Sequence, residues 1–301
     1  MTLTELIYFN EVAKTGSFTV AAVNLYISQP SLSYSIQQLE KKLDAPLFVR
    51  HKNKRVELTP CGAALLPYAE MAITDVQKGA DAVKELTDPL SSTVRIEFFW
   101  SLSTILVPAL FTRYKAEHPD VSINFEFIVN HGWTELNQSL TNGKADLVIS
   151  AGNLSGECSS SCIAYQRIMA YVPISHPLAQ KDTVTFEDLK DEHILALILG
   201  CNLDRQIKQI YRKHKIEPNF TYTTDWCAQI LQVSVNGKIG INIDHTVTTP
   251  LVKKIPIDDE DSFLKIYVSW PNNKKLSSSA EFIRDYLIGL ADRIPAEERI
   301  F

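Results

Sequence analysis

No apolar run in this chain approaches the roughly 20 residues that a membrane-spanning helix needs; the longest clean stretch is Ile194 to Leu199. The opening MTLTELIYFNEV is amphipathic and carries acidic groups, unlike a secretory leader, so a cytoplasmic protein is expected. Cysteine is scarce. The five thiols, Cys61, Cys158, Cys162, Cys201 and Cys227, form no CxxC pair and no disulfide framework, which suits a reducing compartment. Catalytic signatures are missing as well: GxSxG, HExxH, a Walker loop and GxGxxG are absent, and the seven histidines are scattered without metal-ligand spacing. Neither an enzyme nor a cofactor or metal centre is expected. Cys158 and Cys162 lack a second pair of ligands and read as incidental thiols in a Ser-rich stretch.

An excess of positive charge is also lacking. The net charge of −5 argues at first against nucleic acid, but it is unevenly spread. Residues 1 to 58 hold seven Lys and Arg against five Asp and Glu, a balance of +2, so the remainder carries −7. A basic head on an acidic body suits a protein that presents one face to DNA. With 301 residues, 45 % of them hydrophobic and 22 % charged, there is room for two or three domains with real cores.

What is present is concentrated in residues 17 to 43, SFTVAAVNLYISQPSLSYSIQQLEKKL. Ser17 is placed to cap a helix whose Phe18, Ala21, Ala22 and Leu25 form an apolar stripe at steps of three and four. Asn24 to Ser28 make a tight turn. Ser28 or Gln29 can cap the next helix, Pro30 fits its first turn, and Leu32, Ile36, Leu39 and Leu43 repeat along an inward face. The opposite face carries Gln29, Ser31, Ser33, Tyr34, Gln37 and Gln38, groups able to address base edges in a major groove. A helix pair with a polar face is often no more than a solvated bundle. Here it is followed by Leu47-Phe48-Val49 and Val56-Glu57-Leu58 around a basic tip, Arg50, His51, Lys52, Asn53, Lys54 and Arg55. Two short strands with cations at the tip read as a wing that lies along phosphates.

Beyond the wing, Thr59 caps and Pro60 opens a long helix to about Leu86, stopped by Thr87-Asp88-Pro89. Ala69, Ala72, Val76, Gly79, Val83 and Leu86 alternate steps of three and four, a seam of mostly small residues that points to a dimer. After Ser91-Ser92 the pattern alternates. Strand 94–99, helix 104–117, strand 121–129, helix 134–142 and strand 146–150 read as a parallel α/β layer. A Ser/Cys/Gly-rich connection, Leu154 to Cys162, leads to a second set: strands 168–173, 194–199, 220–223 and 239–243 with helices 204–214 and 227–236, then strand 264–270 and helix 279–293.

The head resembles the LysR-type transcriptional regulators through Phe9, Gly16-Ser17-Phe18, Ala21-Ala22, Leu25, Ser28-Gln29-Pro30-Ser31-Leu32-Ser33, Ile36, Leu39-Glu40, Leu43, Leu47-Phe48, Arg50, Leu58-Thr59 and Gly62. Asp44 replaces the family's usual helix-ending glycine, and Tyr34 replaces a basic or long polar group. The resemblance implies a winged helix-turn-helix over 1–58, a linker and dimerisation helix over 59–90, and an effector domain over 91–301. That domain is expected to have two lobes like a periplasmic binding protein, lobe I being 91–161 with 267–301 and lobe II 162–266. Promoter DNA, a homodimer or homotetramer and a small effector are the implied partners. DNA contacts are expected from Ser17, Thr19, Ser28, Gln29, Pro30, Ser31, Ser33, Tyr34, Gln37, Arg50, Lys52, Lys54 and Arg55.

In such sheets ligands lie beyond the strands' carboxyl ends, at helix N-termini that favour anions. Trp100-Ser101-Leu102-Ser103-Thr104, Gly200-Cys201-Asn202 and Thr224-Asp225-Trp226-Cys227 occupy such places, although each group also reads as an ordinary helix cap. Effector contacts are expected from Trp100, Ser101, Ser103, Thr104, His131, Gly200, Cys201, Asn202, Thr224 and Asp225, with Trp133 and Trp226 as further aromatic walls. Near this cleft Glu97, Lys238 and His245 replace residues usual in the family. The expected effector is a small anionic metabolite. The rival is redox sensing through Cys201, whose place before a helix N-terminus predicts a lowered thiol pKa, with Cys227 as its candidate partner.

Overall fold

The computed structural model describes residues 1–49, 55–87, 90–130, 132–197, 201–223, 225–244 and 249–293. They fall into two compact units, Met1–Asp88 with Asn142–Lys144, and Pro89–Thr141 with Ala145–Phe301.

The first unit is built from helices α1 (Leu3–Thr15), α2 (Phe18–Asn24) and α3 (Gln29–Leu43), the strand pair β1 (Phe48–Val49) and β2 (Glu57–Leu58), and the long helix α4 (Pro60–Glu85). Each start is set by a side-chain cap. Thr2 and Glu5 form a reciprocal capping box on α1, Ser17 accepts from Val20 N, Ser28 from Ser31 N, and Thr59 from Gly62 N. Asp44 ends α3 in the left-handed region at φ 49°, the conformation the usual glycine would supply. Phe9, Phe18 and Phe48 meet at centroid distances of 5.3 and 5.8 Å, and Leu32, Ile36 and Leu39 are fully buried beside them. Burial of each such aliphatic contributes about 1.5–3 kcal/mol. Leu43 does not join this stripe; it is exposed, because by the last turn α3 has passed the edge of the small core. Gly62 is required by α4's close approach, since a Cβ there would lie 2.2 Å from Leu47 O.

In the second unit, strands β3 (Thr93–Phe99), β4 (Asn124–Asn130) and β5 (Leu147–Ala151) are parallel and alternate with α5 (Leu106–Glu117) and α6 (Trp133–Thr141). Then follow β6 (Cys158–Pro173), β7 (His193–Leu197), α7 (Asn202–Lys213), β8 (Asn219–Thr223), α8 (Trp226–Asn236), β9 (Ile239–Ile243), β10 (Val252–Pro256), β11 (Phe263–Pro271) and α9 (Ser278–Arg293). The strand order is β4-β3-β5-β11-β6-β9-β7-β8, with β10 on β6. Two cores result. One gathers β3, β5, α5 and α9 around Ile96, Leu106 and Ile283, and the other gathers β7, β9 and α7 around Ile194, Ile207 and Ile241.

β6 is one 16-residue strand that passes from the first core into the second, so the expected loop over Leu154 to Cys162 is corrected from Cys158 onward. Small polar residues such as Ser159 and Ser160 suit it there because their hydroxyls pair across the ladder with Asn272 and Ser269. The expected helix from Thr104 is also corrected: a short 3-10 turn, Trp100–Leu102, comes first and α5 begins at Leu106. β10 was not anticipated; two lysines within its five residues mask its apolar alternation.

Candidate nucleic-acid interface and ligand cleft

On α3 the inward stripe leaves an outer face of Gln29, Pro30, Ser31, Tyr34 and Gln37, all exposed, with Ser33 half-buried. Gln29 Nε2 donates to Ser33 Oγ at 2.8 Å, and Ser28 Oγ lies 2.7 Å from Ser31 Oγ. These bonds hold short polar groups in one orientation before any partner arrives. Tyr34 is 64 % exposed on the same face. Ser17 is half-buried as the α2 cap, and Thr19 is exposed on that helix. Arg55 is exposed; its stem covers Gly16, where a Cβ would come within 2.5 Å of Arg55 Cγ, and Val56 N donates to Gly16 O at 2.9 Å. Arg50, Lys52 and Lys54 lie outside the described residues. Sequence reasoning passed over Tyr26. It sits in the turn at φ 55° and is 96 % exposed, while its neighbour Ile27 packs against the core.

On α4, Ala69 and Ala72 of the expected seam pack into the helix-turn-helix core, which corrects their assignment to a partner helix. Val76 and Val83 stay 55 % and 66 % exposed, and a Cβ added at Gly79 would enter open space.

In the second unit a cleft of about 260 Å3 lies between the two cores at the carboxyl ends of β3, β5, β7 and β9. Phe99, Trp100, Trp133, Leu197 and Leu203 make apolar walls, and Ser101, Cys201, Asn202, Arg205 and Asn242 bring polar groups to it. Of the expected effector contacts, Trp100, Ser101, Cys201 and Asn202 therefore meet. Ser103 does not; its hydroxyl donates to Trp100 O at 2.5 Å and closes the 3-10 turn. Thr104 is exposed off the cleft, and Asp225 caps α8 by accepting from Ala228 N at 2.8 Å. His131, Gly200, Thr224 and His245 lie outside the described residues.

Three features close this cleft. Trp100 and Trp226 stack with centroids 6.2 Å apart at 23°, one ring from each lobe. Asn202 Nδ2 donates to Ala151 O, so that amide ties α7 to the end of β5. Gly152, at φ 92°, follows directly, and a Cβ there would lie 2.5 Å from Asn202 Nδ2. Behind the cleft, Gln229 donates to Leu195 O and accepts from Asn242 Nδ2 at 3.0 Å, so a buried amide pair holds β7, β9 and α8 together. Glu97 is buried but satisfied by Asn130 Nδ2, off the cleft wall.

Cys201 caps α7, accepting from Asp204 N at 3.4 Å, while its thiol donates to Leu197 O at 3.6 Å. Burial pushes its pKa up from the ordinary thiol value, outweighing the amides at the helix start. The expected lowering is thus corrected, because desolvation of a thiolate exceeds the dipole's help. Cys227 is exposed, and all five cysteines are free thiols. Among the described residues no group of three His, Cys, Asp or Glu side chains is arranged to hold a metal. Arg205 was missed from sequence, although it lies three positions past Asn202 and so on the same helix face.

A probable RuBisCO transcriptional regulator of Synechocystis sp. is 27 % identical over 300 residues, covering 95 % of this chain and 86 % of its own. The LysR family regulator CbnR superposes with a TM-score of 0.77 at 18 % identity, covering 97 % of this chain and 99 % of the other. Full-length CbnR complexed with its target DNA gives 0.74 at 18 % identity, with the same coverage of 97 % and 99 %. Residues 3–63 match the model of the bacterial regulatory helix-turn-helix protein, lysR family, and residues 87–291 match the LysR substrate binding domain. The chain therefore belongs to the LysR family of transcriptional regulators.

Proposed function

We propose that α3 enters the major groove with Gln29, Ser31, Ser33 and Tyr34 toward base edges, while Ser17, Thr19, Ser28, Tyr26 and the wing cations, Arg55 among them, follow phosphates. The observation that supports this is the pre-bonded polar face opposite Leu32, Ile36 and Leu39. The protein works as a homodimer, or a pair of dimers, joined through the exposed half of α4. It acts in the cytoplasm and carries out no catalysis.

The effector occupies the 260 Å3 cleft, a size that suits a small metabolite. Apolar walls with Arg205 and Ser101 among the polar lining groups suit a ligand with an apolar body and one anionic group. Such a ligand regulates only by binding one lobe arrangement better than another. The test is a thermal-shift screen of small carboxylates on the full-length protein, followed by Arg205→Met and Ser101→Val. Both variants should lose the shift while keeping DNA affinity without effector. A normal response in both, with loss in Cys201→Ser and a peroxide response in wild type, would replace this reading by a thiol switch.

A further inference from the structure

A larger cleft, of about 860 Å3, shares Asn202, Arg205 and Leu264 with the effector cleft but is otherwise built from different residues. Its floor is the ladder of β6 and β11, in which Arg167 pairs with Phe263 and Tyr165 with Lys265. Strand alternation puts these four side chains on one face; Gln166 between them and the flanking Ala164 and Ile266 are buried on the other. Arg167 and Lys265 are diagonal neighbours, with Cα atoms roughly 7–8 Å apart in such a ladder. Its wall is the stripe Asn202, Arg205, Gln206 and Gln209 of α7, one helix face at steps of three and four. Gln206 fixes that wall by donating to Asp261 O and Phe263 O at 2.7 and 2.8 Å.

Cations outnumber carboxylates in the lining of this cleft. Its two carboxylates, Glu260 and Asp261, are both drawn to Lys213 Nζ at 2.5 and 2.7 Å. Arg167 lies 5.1 Å over the Phe263 ring, and neither it nor Lys265 has an ion pair among the described residues. Three cations thus line one concavity of a body whose net charge is strongly negative. Arg167 and Lys265, diagonal on the same ladder, repel unless an anion joins them, and guanidinium forks match oxyanions two bonds at a time.

We propose that this second cleft binds a small molecule carrying two or more oxyanionic groups, held by Arg167 and Lys265 and bordered by Arg205, which it shares with the effector cleft read above. Because Asn202 and Arg205 wall both clefts, an occupant here biases the lobe closure that the effector also reads. The experiment is calorimetric titration of the full-length protein with pyrophosphate and with citrate at constant ionic strength. Saturable binding is expected. Preference for pyrophosphate identifies a phosphorylated ligand, and preference for citrate a polycarboxylate. Lys265→Glu, at an exposed position, and Arg167→Met should each weaken binding at least tenfold with an unchanged melting transition, whereas Ser101→Val should bind as wild type. Absence of saturable binding by either anion, wild-type affinity in both charge variants, or equal weakening by Ser101→Val would overturn the proposal.

Discussion

Trp100, on the wall of the cleft, stacks on Trp226, which is not part of that wall, so one ring from each lobe meets the other with centroids 6.2 Å apart. A pair of this kind adds about 0.5–1.5 kcal/mol beyond the area it buries. Trp226→Ala should lower the melting temperature by several degrees, since about 1 kcal/mol corresponds to roughly 2–4 °C in a domain of this size. An unshifted melt would mean the rings touch without holding the lobes.

The amide of Asn202 makes a second tie, to Ala151 O. Asn202→Leu deprives that carbonyl of its donor, at a cost of about 1–3 kcal/mol if no water replaces it. Gly152→Ala should be at least as damaging, because it adds a positive-φ penalty to a clash with the same amide. Urea unfolding of both variants checks this ordering, and a neutral Gly152→Ala would remove the steric argument.

The helix-turn-helix was legible because caps and apolar steps are local, and Ser17, Ser28, Thr59 and Asp44 all cap as the sequence implies. The cleft was legible only in part. Ser101 and Cys201 reach it because strand ends and helix starts converge there, but Ser103, Thr104 and Asp225 spend their polar groups otherwise or face away. Nothing in a linear pattern distinguishes a cap from a ligand. Arg205 and the Arg167–Lys265 diagonal depend on register between strands far apart in sequence, which periodicity does not report.

On DNA, Gln29→Ala should relax base preference by about 1–3 kcal/mol if its amide makes a bidentate contact. Arg55→Ala should instead weaken all sequences alike and lower the salt slope by about one. Anisotropy titrations against specific and random duplexes at several salt concentrations separate the two behaviours. Equal losses on both duplexes from Gln29→Ala would move the reading face elsewhere.

In the dimer proposed above, Val76→Glu or Val83→Glu should separate the protomers, because a carboxylate would be buried against its symmetry mate without a partner. Both positions are exposed in the single chain, so the monomer itself should stay folded. Light scattering and circular dichroism read the two outcomes. Dimers that survive both substitutions would place the seam outside α4.

Acid should loosen the DNA-binding unit through Glu5. Its carboxylate receives Lys42 Nζ at 2.6 Å and Thr2 N at 2.8 Å, tying the start of α1 to the end of α3. The Lys42 hydrogen bond, chiefly, holds the Glu5 pKa below its ordinary value of 4.5. A carboxyl whose folded pKa is depressed stabilises fully above its unfolded pKa and loses that contribution as pH falls through the folded value. Lys42→Met should therefore be less stable than wild type at neutral pH, and the gap should close well below pH 4.5. Urea titrations of both proteins at neutral and acid pH measure it. A gap that persists unchanged in acid would assign Lys42's contribution to packing of its aliphatic stem instead of to its charge.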